Sequence, residues 1–250
     1  MILTSKNNPL IKETVSLKDK KGRKTLGMFL IEGVKMTTEA LKSDLEIDRI
    51  FIAESLSGQA FDLCEEKTVL VSDEVMRFLC DEKTPQGVVC RVKTPQNALC
   101  KPTGACLLLD GVADPKNMGA IIRTANAAGY REIYLTDDCT DPYSPKSVRA
   151  SMSGVFFTKL YTGTRGELLS LLADTPVLAA DMQGENIFGF DAPESFALVI
   201  GNEGKGVSDE VRSAANGFVK IPMQATQESL NAAVSAGILM YLLKKRAFLG

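Results

Sequence analysis

The sequence contains no histidine among its 250 residues. This absence excludes Ser-His-Asp and Cys-His catalysis and every mechanism that uses an imidazole as the base. The six cysteines include no C-x-x-C pair, so a zinc site of the usual Cys/His kind is not expected. If the chain is an enzyme, its chemistry must depend on positioning, on a cofactor, or on other side chains.

Long apolar runs and an excess of one charge are also missing. No run is long enough to span a membrane, and the first residues lack the apolar core of a signal peptide. We therefore expect a cytoplasmic protein with reduced cysteines, no metal and no membrane contact. The formal net charge is −2, so a polyanion site would have to be a local patch. Residues 1–24 form such a patch, with seven basic and two acidic residues, although a solvated helix face would have the same composition.

Short apolar runs alternate with helix-like segments along the chain, which is the pattern of parallel sheets covered by helices. A linker rich in proline and glycine separates a small α/β domain, residues 1–98, from an α/β domain at 104–250. Strands are predicted at 28–31, 47–53, 68–71, 87–92, 107–109, 132–135, 156–161, 177–180, 196–200 and 218–221. Helices are predicted at 9–20, 34–41, 61–66, 73–80, 118–128, 167–172, 208–215 and 229–245.

The stretch around which the chain is organised reads LLLDGVADPKNMGAIIRTANAAG, from Leu107 to Gly129. A buried strand leads into a polar turn, Asn117 is predicted to cap the following helix, and Gly129 is predicted to end it. The end of a strand and the start of the next helix are where ligands bind in open α/β sheets. Asn117 and Arg123 are therefore candidate ligand-binding groups. The alternative is that Asn117 only caps the helix and Arg123 only contacts solvent.

A second stretch, ALVIGNEGKGVS, runs from Ala197 to Ser208 and contains three glycines. Its order of glycines matches neither the dinucleotide-binding fingerprint nor a Walker A loop, so neither a Rossmann dehydrogenase nor a P-loop NTPase is indicated. Glycine can let backbone approach a ligand closely, but a tight turn before a helix capped by Ser208 would use the same residues. A purely structural turn does not need Glu203 between its glycines.

A third stretch, IPMQATQESLNAAVSAGILMY, runs from Ile221 to Tyr241. A strand ends at its start, and Ser229 is predicted to begin a long helix with Asn231 in the first turn. The N-terminus of a helix gathers unpaired N–H groups and the positive end of the dipole, so it suits a phosphate or carboxylate. The alternative is that Ser229 is an ordinary N-cap.

The segments DPKNMGAIIRTA, LVIGNEGKGVS and IPMQATQESLNAAVSAGI together resemble the three signature motifs of the SpoU (TrmH-type) RNA 2′-O-methyltransferases. The resemblance covers about Leu107 to Tyr241, in order. The N-terminal hundred residues resemble, more loosely, the RNA substrate-binding domain often fused ahead of it, through SKNNPLIK, FLIEGVK and PQGVVCRV. The resemblance implies a C-terminal parallel-sheet domain with a deep trefoil knot, S-adenosylmethionine as the cofactor, RNA as the partner, and a homodimer formed through the C-terminal domain.

Carried over residue by residue, the resemblance implies a cofactor pocket made by Gly201, Ile221 and Leu230. It also implies a catalytic group made up of Asn117, Arg123, Glu203, Ser229 and Asn231. Positioning can contribute about 7–11 kcal/mol and a general base about 3–5 kcal/mol, so a site without histidine remains competent.

A guanidinium loses its proton very reluctantly. Our hypothesis is therefore that Arg123 clamps the RNA phosphate and stabilises the developing alkoxide, while phosphate or water accepts the proton. Ribosomal RNA is the expected substrate. The alternatives are transfer RNA and a non-catalytic RNA-binding or ribosome-assembly factor.

Overall fold

A computed structural model of the chain describes residues 2–57 and 64–248. The chain divides into two compact units, residues 1–96 with 141–156, and residues 97–140 with 157–250. The segment 141–156, which follows a strand of the second unit in sequence, therefore packs within the first unit. Half of the helix predicted at 61–66 lies outside the described residues, and the described part contains only a short 3-10 turn at Glu65–Lys67. Within the described ranges, no helix has the length and apolar character needed to cross a membrane.

The described part of the chain contains eleven strands. They are β1 (Ile2–Leu3), β2 (Met28–Glu32), β3 (Ile47–Ala53), β4 (Thr68–Val71), β5 (Val88–Lys93), β6 (Cys106–Asp110), β7 (Glu132–Thr136), β8 (Lys159–Gly163), β9 (Val177–Asn186), β10 (Ala197–Gly201) and β11 (Gly217–Lys220).

Nine α-helices lie in the same described ranges. They are α1 (Pro9–Ser16), α2 (Lys20–Leu26), α3 (Val34–Leu41), α4 (Asp73–Leu79), α5 (Pro115–Ala127), α6 (Pro145–Ser151), α7 (Arg165–Leu171), α8 (Asp209–Ala214) and α9 (Ala232–Leu243).

The first unit contains a mixed sheet in the order β1-β4-β3-β5-β2. Strands β1, β4 and β3 run parallel, whereas β5 is antiparallel to both β3 and β2. Its core includes fully buried Phe29, Phe51 and Leu79. The sequence thus predicted a small α/β domain correctly, and its sheet is mixed.

The second unit contains a sheet in the order β11-β9-β10-β6-β7-β8, and every pairing in it is parallel. The central strand β6 is buried at all five positions, as expected for a parallel strand covered on both faces. The predicted parallel α/β sheet is confirmed. Since parallel strands end at one edge, the turns after β6 and β10 leave the sheet side by side.

Helix α5 begins three residues earlier than predicted, at Pro115, and its N-cap is Asp114 rather than Asn117. The Asp114 carboxylate accepts a hydrogen bond from the Lys116 N–H at 2.7 Å. Proline suits the first helical position because its φ is preset and its missing N–H would have no partner there. The helix ends as predicted, with Gly129 following the cap at a φ of +76°.

The terminal helix α9 begins at Ala232, so the prediction that Ser229 starts it is wrong. Asn231 is the N-cap, and its side-chain oxygen accepts from the N–H groups of Ala233 and Val234. Serine and asparagine cap equally well, so residue type alone could not decide between them. A capping serine, Ser144, likewise starts α6 within the segment predicted as a polar connection.

Candidate functional site

Residues from all three motifs meet at the edge of the parallel sheet. The Glu203 carboxylate accepts hydrogen bonds from the backbone N–H groups of Ala113 and Asp114, at 3.0 and 3.1 Å. It also accepts one from the Asn117 side-chain amide, at 3.0 Å. The negative charge thus lies just before the first turn of α5, where the helix dipole favours it.

A second amide extends this arrangement into the third motif. The Asn231 Nδ2 donates to the Asn117 Oδ1 at 2.9 Å, while the Asn231 oxygen caps α9. Carboxylate, amide, amide and helix N-terminus therefore form one directional chain of hydrogen bonds. Each amide nitrogen has two N–H donors and uses one within this chain, so each retains a second donor for a ligand.

The hydrogen bonds to Glu203 also fix its protonation state. Partial burial raises the pKa of Glu203, but the hydrogen bonds from Asn117, Ala113 and Asp114 together outweigh it and hold the pKa below the ordinary value of 4.5. The carboxylate is therefore ionised at neutral pH and is a poor proton acceptor. Its role in this arrangement is to orient Asn117 and the start of α5.

A buried carboxylate beneath the site holds the loop that carries Glu203. The Asp110 side chain is fully buried and accepts from the Ser208 N–H and the Arg165 Nε, both at 2.7 Å. Asn202 donates from its side chain to the Gly111 carbonyl, also at 2.7 Å. The loop between β10 and α8 is thus attached at both ends to the turn that follows β6.

Position 201 must be glycine because a neighbouring segment of backbone leaves no room for a side chain. A Cβ at Gly201 would lie 2.3 Å from the carbonyl carbon of Gly206 and 2.4 Å from the nitrogen of Val207. The backbone groups of Asn202 and Gly206 also exchange two hydrogen bonds at 2.9 Å. In this structure the backbone that approaches Gly201 closely is that of the same glycine loop, at Gly206 and Val207. Binding of the cofactor by Gly201 stays a prediction.

A cavity of about 140 Å³ adjoins the third motif. Ile221, Ser229 and Leu230 line it, together with Met223 and Leu239. Pockets that enclose a whole small ligand measure about 300–1,000 Å³, so this cavity suits one part of a cofactor. Its lining is mainly apolar, with the hydroxyl residues Ser229 and Ser235 and the charged residues Asp181 and Lys220, so it offers apolar contact and polar partners to a cofactor such as S-adenosylmethionine. The segment 229–231 therefore contributes to both the cavity and the hydrogen-bond chain.

Arg123 is the one predicted catalytic residue that stands apart from the hydrogen-bond chain and the cavity. It lies on the exposed face of α5, and its side chain has no ion pair or hydrogen bond within the described residues. On the same helix face, seven residues earlier, Lys116 is also exposed. Two unpaired cations on one face provide a surface that attracts an anion.

Three residues that build the site, namely Asp110, Asp114 and Asn202, were not among the predicted site residues. Asp114 could have been found, because aspartate directly before proline is a frequent start of a helix. Asp110 ends an apolar run, and the sequence pattern Asp110-Gly111 predicted only a turn there. The contact between Asn202 and Gly111 joins residues 91 positions apart and leaves no local pattern in the sequence.

A family model described as the SpoU rRNA methylase family matches residues 104–241. The chain belongs to the SpoU rRNA methylase family. A second model, described as an MRM3-like substrate binding domain, matches residues 8–90. The predicted resemblance is confirmed, and with it the fold class apart from the knot, and the enzyme class, an RNA 2′-O-methyltransferase that uses S-adenosylmethionine.

Relatives match this SpoU chain over nearly its whole length. The 23S rRNA (guanosine(2553)-2′-O)-methyltransferase of Bacillus subtilis is 30% identical over 97% of this chain and 98% of its own. The 23S rRNA (adenosine(1067)-2′-O)-methyltransferase of Streptomyces laurentii is 29% identical over 98% and 96%. The AdoMet-bound rRNA methyltransferase of Sinorhizobium meliloti has a similar structure, with a TM-score of 0.87 at 27% identity and 98% coverage of both chains.

Proposed function

We propose that this chain transfers a methyl group from S-adenosylmethionine to a ribose 2′-hydroxyl of 23S ribosomal RNA. The observation that carries the proposal is the hydrogen-bond chain Glu203–Asn117–Asn231, which shares the segment 229–231 with the cavity beside it. This arrangement holds polar donors in fixed positions next to a segment that also lines the cavity. Fixed donors beside a cofactor pocket suit a reaction whose barrier is lowered mainly by positioning.

Ile221 and Leu230 would hold the apolar part of the cofactor, with Ser229 at the same cavity. The bound cofactor supplies a methyl group on a sulfonium, so the demanding chemistry belongs to the cofactor. The protein's own groups then need to orient the ribose and exclude competing positions. Gly201, the third predicted cofactor-binding residue, is not part of this cavity lining, and its lack of a side chain allows the loop that carries Glu203 to fold against its own backbone.

Arg123 would bind the RNA phosphate next to the target ribose and stabilise the developing alkoxide. An exposed guanidinium without an internal partner is free to make this bidentate contact. Ser229 and the free amide donor of Asn231 would contact the same phosphate. The proton would leave to phosphate or water, since Glu203 is committed to Asn117 and the start of α5.

Two observations favour ribosomal RNA over transfer RNA. The relatives from Bacillus subtilis and Streptomyces laurentii match both units of the chain, and both bear names of 23S rRNA enzymes. Residues 8–90 also match the model of a substrate-binding domain. Such a domain suits a structured RNA, which can be bound at positions away from the reacting ribose. The two relatives modify different nucleotides, a guanosine and an adenosine, so their similarity to this chain does not specify the base.

The same proposal includes a trefoil knot, a homodimer and a cytoplasmic location. Helix α9 packs on α5, so the C-terminal segment returns to the first motif, which favours a knotted arrangement. Val234 and Tyr241 lie on one face of α9 and are 51% and 43% exposed, which suits contact with a second copy. A ribosomal RNA substrate would place the enzyme in the cytoplasm.

The test is methyl transfer from labelled S-adenosylmethionine to unmodified 23S rRNA, 16S rRNA and bulk transfer RNA, followed by digestion to nucleosides. We expect label in one 2′-O-methylated nucleoside of 23S rRNA. Label only in transfer RNA would overturn the substrate, and label on a base would overturn the ribose chemistry. Absence of both label and cofactor binding would favour the alternative, a non-catalytic RNA-binding or ribosome-assembly factor.

A further inference from the structure

The first unit contains a cavity of about 310 Å³, larger than the one beside the third motif. It lies between helix α2, the residues that follow β5, and the start of the segment 141–156. Its volume is at the lower end of the range for pockets that take a small organic ligand, about 300–1,000 Å³. A cavity of this size suits one nucleotide and is too small for a duplex.

One wall of the cavity contains Arg23 and Asp141, whose charges neutralise each other in an ion pair. The Arg23 side chain is 7% exposed, and its Nε and Nη2 lie 2.8 and 2.7 Å from the Asp141 carboxylate. Its Nη1 donates to the carbonyls of Leu17 and Lys18, at 2.8 and 2.7 Å. Arg23 therefore joins α2 to the segment 141–156 and has little capacity left for a ligand.

Two further cations at the cavity, Lys20 and Lys24, have no such partner. Both are exposed, and neither has an ion pair or a side-chain hydrogen bond within the described residues. They are four residues apart on α2, so they share one helix face, where like charges repel. A pair of lysines held together at a cavity without a counterion provides a site for an anion from outside.

The cavity also contains an aromatic surface. The Tyr143 ring lines it and packs against the buried Phe29 ring, with ring centroids 4.9 Å apart, so its position is fixed from behind. Gln96 and Thr94 add an amide and a hydroxyl. Aromatic rings that stack bases, placed beside lysines that contact phosphate, are the usual components of sites for single-stranded nucleic acid.

We propose that this cavity binds one unpaired nucleotide of the RNA substrate, with its phosphate at Lys20 and Lys24 and its base against Tyr143. The inference rests on the proposed function in one respect only, that the substrate is RNA. It adds an anchoring site in the first unit, separate from the methyl-transfer site. The matched substrate-binding model ends at residue 90, so Gln96 and Tyr143 lie outside it.

The test compares two double variants that remove the same charge. K20A/K24A removes the lysines at the cavity, and K12A/K21A removes two exposed lysines of α1 and α2 that do not line it. The probes are a single-stranded RNA oligonucleotide of mixed sequence and a duplex of the same length. We expect K20A/K24A to weaken single-strand binding about 10- to 50-fold and to flatten the salt dependence by about one to two units of slope.

Equal losses in the two double variants would overturn the inference, because the effect would then be one of overall charge. Cross-linking with RNA that contains 4-thiouridine gives a second readout on the unaltered chain, and cross-links are expected in the segment around Tyr143. Cross-links confined to other segments would also overturn it. The same would follow if inorganic phosphate or adenosine monophosphate occupied the cavity and RNA did not displace it.

The anchoring site and the methyl-transfer site can fail independently. At saturating RNA and cofactor, K20A/K24A should keep the turnover number of the unaltered chain and raise the KM for RNA. If the unaltered chain transfers no methyl group to any RNA but the binding difference is observed, the anchoring site stands and the proposed function fails. If methyl transfer occurs and the two double variants bind RNA equally well, the proposed function stands and the anchoring site fails.

Discussion

The two candidate sites differ in how their polar groups are paired. At the edge of the parallel sheet, Glu203, Asn117 and Asn231 are hydrogen-bonded to one another, and Asp110 holds the loop beneath them. In the cavity of the first unit, Lys20 and Lys24 have no partner in the described part of the chain. Both sites lie in units of α/β architecture, so the fold class does not explain the difference.

The difference indicates two tasks. A group that must hold a reacting atom in place benefits from being fixed before the substrate arrives, because no reorganisation is then needed during the reaction. A group that must capture a polyanion from solution benefits from an uncompensated charge, which acts over a distance. Arg123 has the unpaired charge of the second kind, although it lies on the same helix as Asn117 and is proposed to act in the reaction itself. Four substitutions test this contrast, beginning with the one that should destabilise the fold most.

Asp110→Ala should destabilise the second unit by about 3 kcal/mol, because the substitution leaves the Ser208 N–H without its acceptor and Arg165 with one carboxylate fewer. For a chain of this size that corresponds to a fall in Tm of about 6–12 °C, measured by scanning calorimetry. The matched control is Asp174→Ala, since Asp174 also pairs with a cation, Lys101, but is exposed. Equal shifts in the two variants would show that Asp110 does not support the loop.

The methyl-transfer site could be predicted from the sequence only in part: its residues were predictable, but the contacts between them were not. Local patterns identified ten of the eleven strands in the described part of the chain, all but β1, and the motif resemblance brought Asn117, Glu203 and Asn231 to one site. Which atoms pair was not predictable, because the hydrogen-bond partners of the Glu203 loop lie about 90 residues away in sequence. The two wrong caps have a local cause, since Asp114 and Asn117, like Ser229 and Asn231, are equally good capping residues a few positions apart.

The anchoring cavity was predictable only in part. The basic residues of 1–24 were evident as a patch, but the sequence does not show which lysines share a cavity. That depends on the segment 141–156, which packs within the first unit although it follows a strand of the second. Long-range packing of this kind is decided by which apolar faces fit together, and a single sequence contains no direct record of it.

Arg123→Ala should lower the turnover number about 10²- to 10³-fold, the usual loss when one stabilising donor to a developing charge is removed. Because Arg123 is exposed and unpaired among the described residues, Tm should stay within about 1 °C of the unaltered chain. Both are measured on the same preparation, by methyl transfer and by calorimetry. Arg123→Lys should recover only a small part of the rate, since lysine cannot make a bidentate contact. Nearly full activity in that variant would refute the clamp.

The smallest expected effect concerns the pH dependence of stability. The pKa of Glu203 is lowered, so its contribution is fully present above the unfolded value of about 4.5 and is lost as the pH falls through the folded value. Glu203→Gln should therefore cost less than about 1 kcal/mol at pH 7, because the residue is largely exposed, and the cost should vanish in acid.

Asn117→Ala provides the complementary measurement. The substitution removes the side-chain hydrogen bond that contributes most to lowering the Glu203 pKa, so the pKa of Glu203 should rise, as followed by NMR titration of its carboxyl carbon. An unchanged pKa would mean that the backbone N–H groups of Ala113 and Asp114 suffice to fix the carboxylate. In that case Glu203 would hold the Asn117 side chain in place, but Asn117 would not stabilise the negative charge of Glu203.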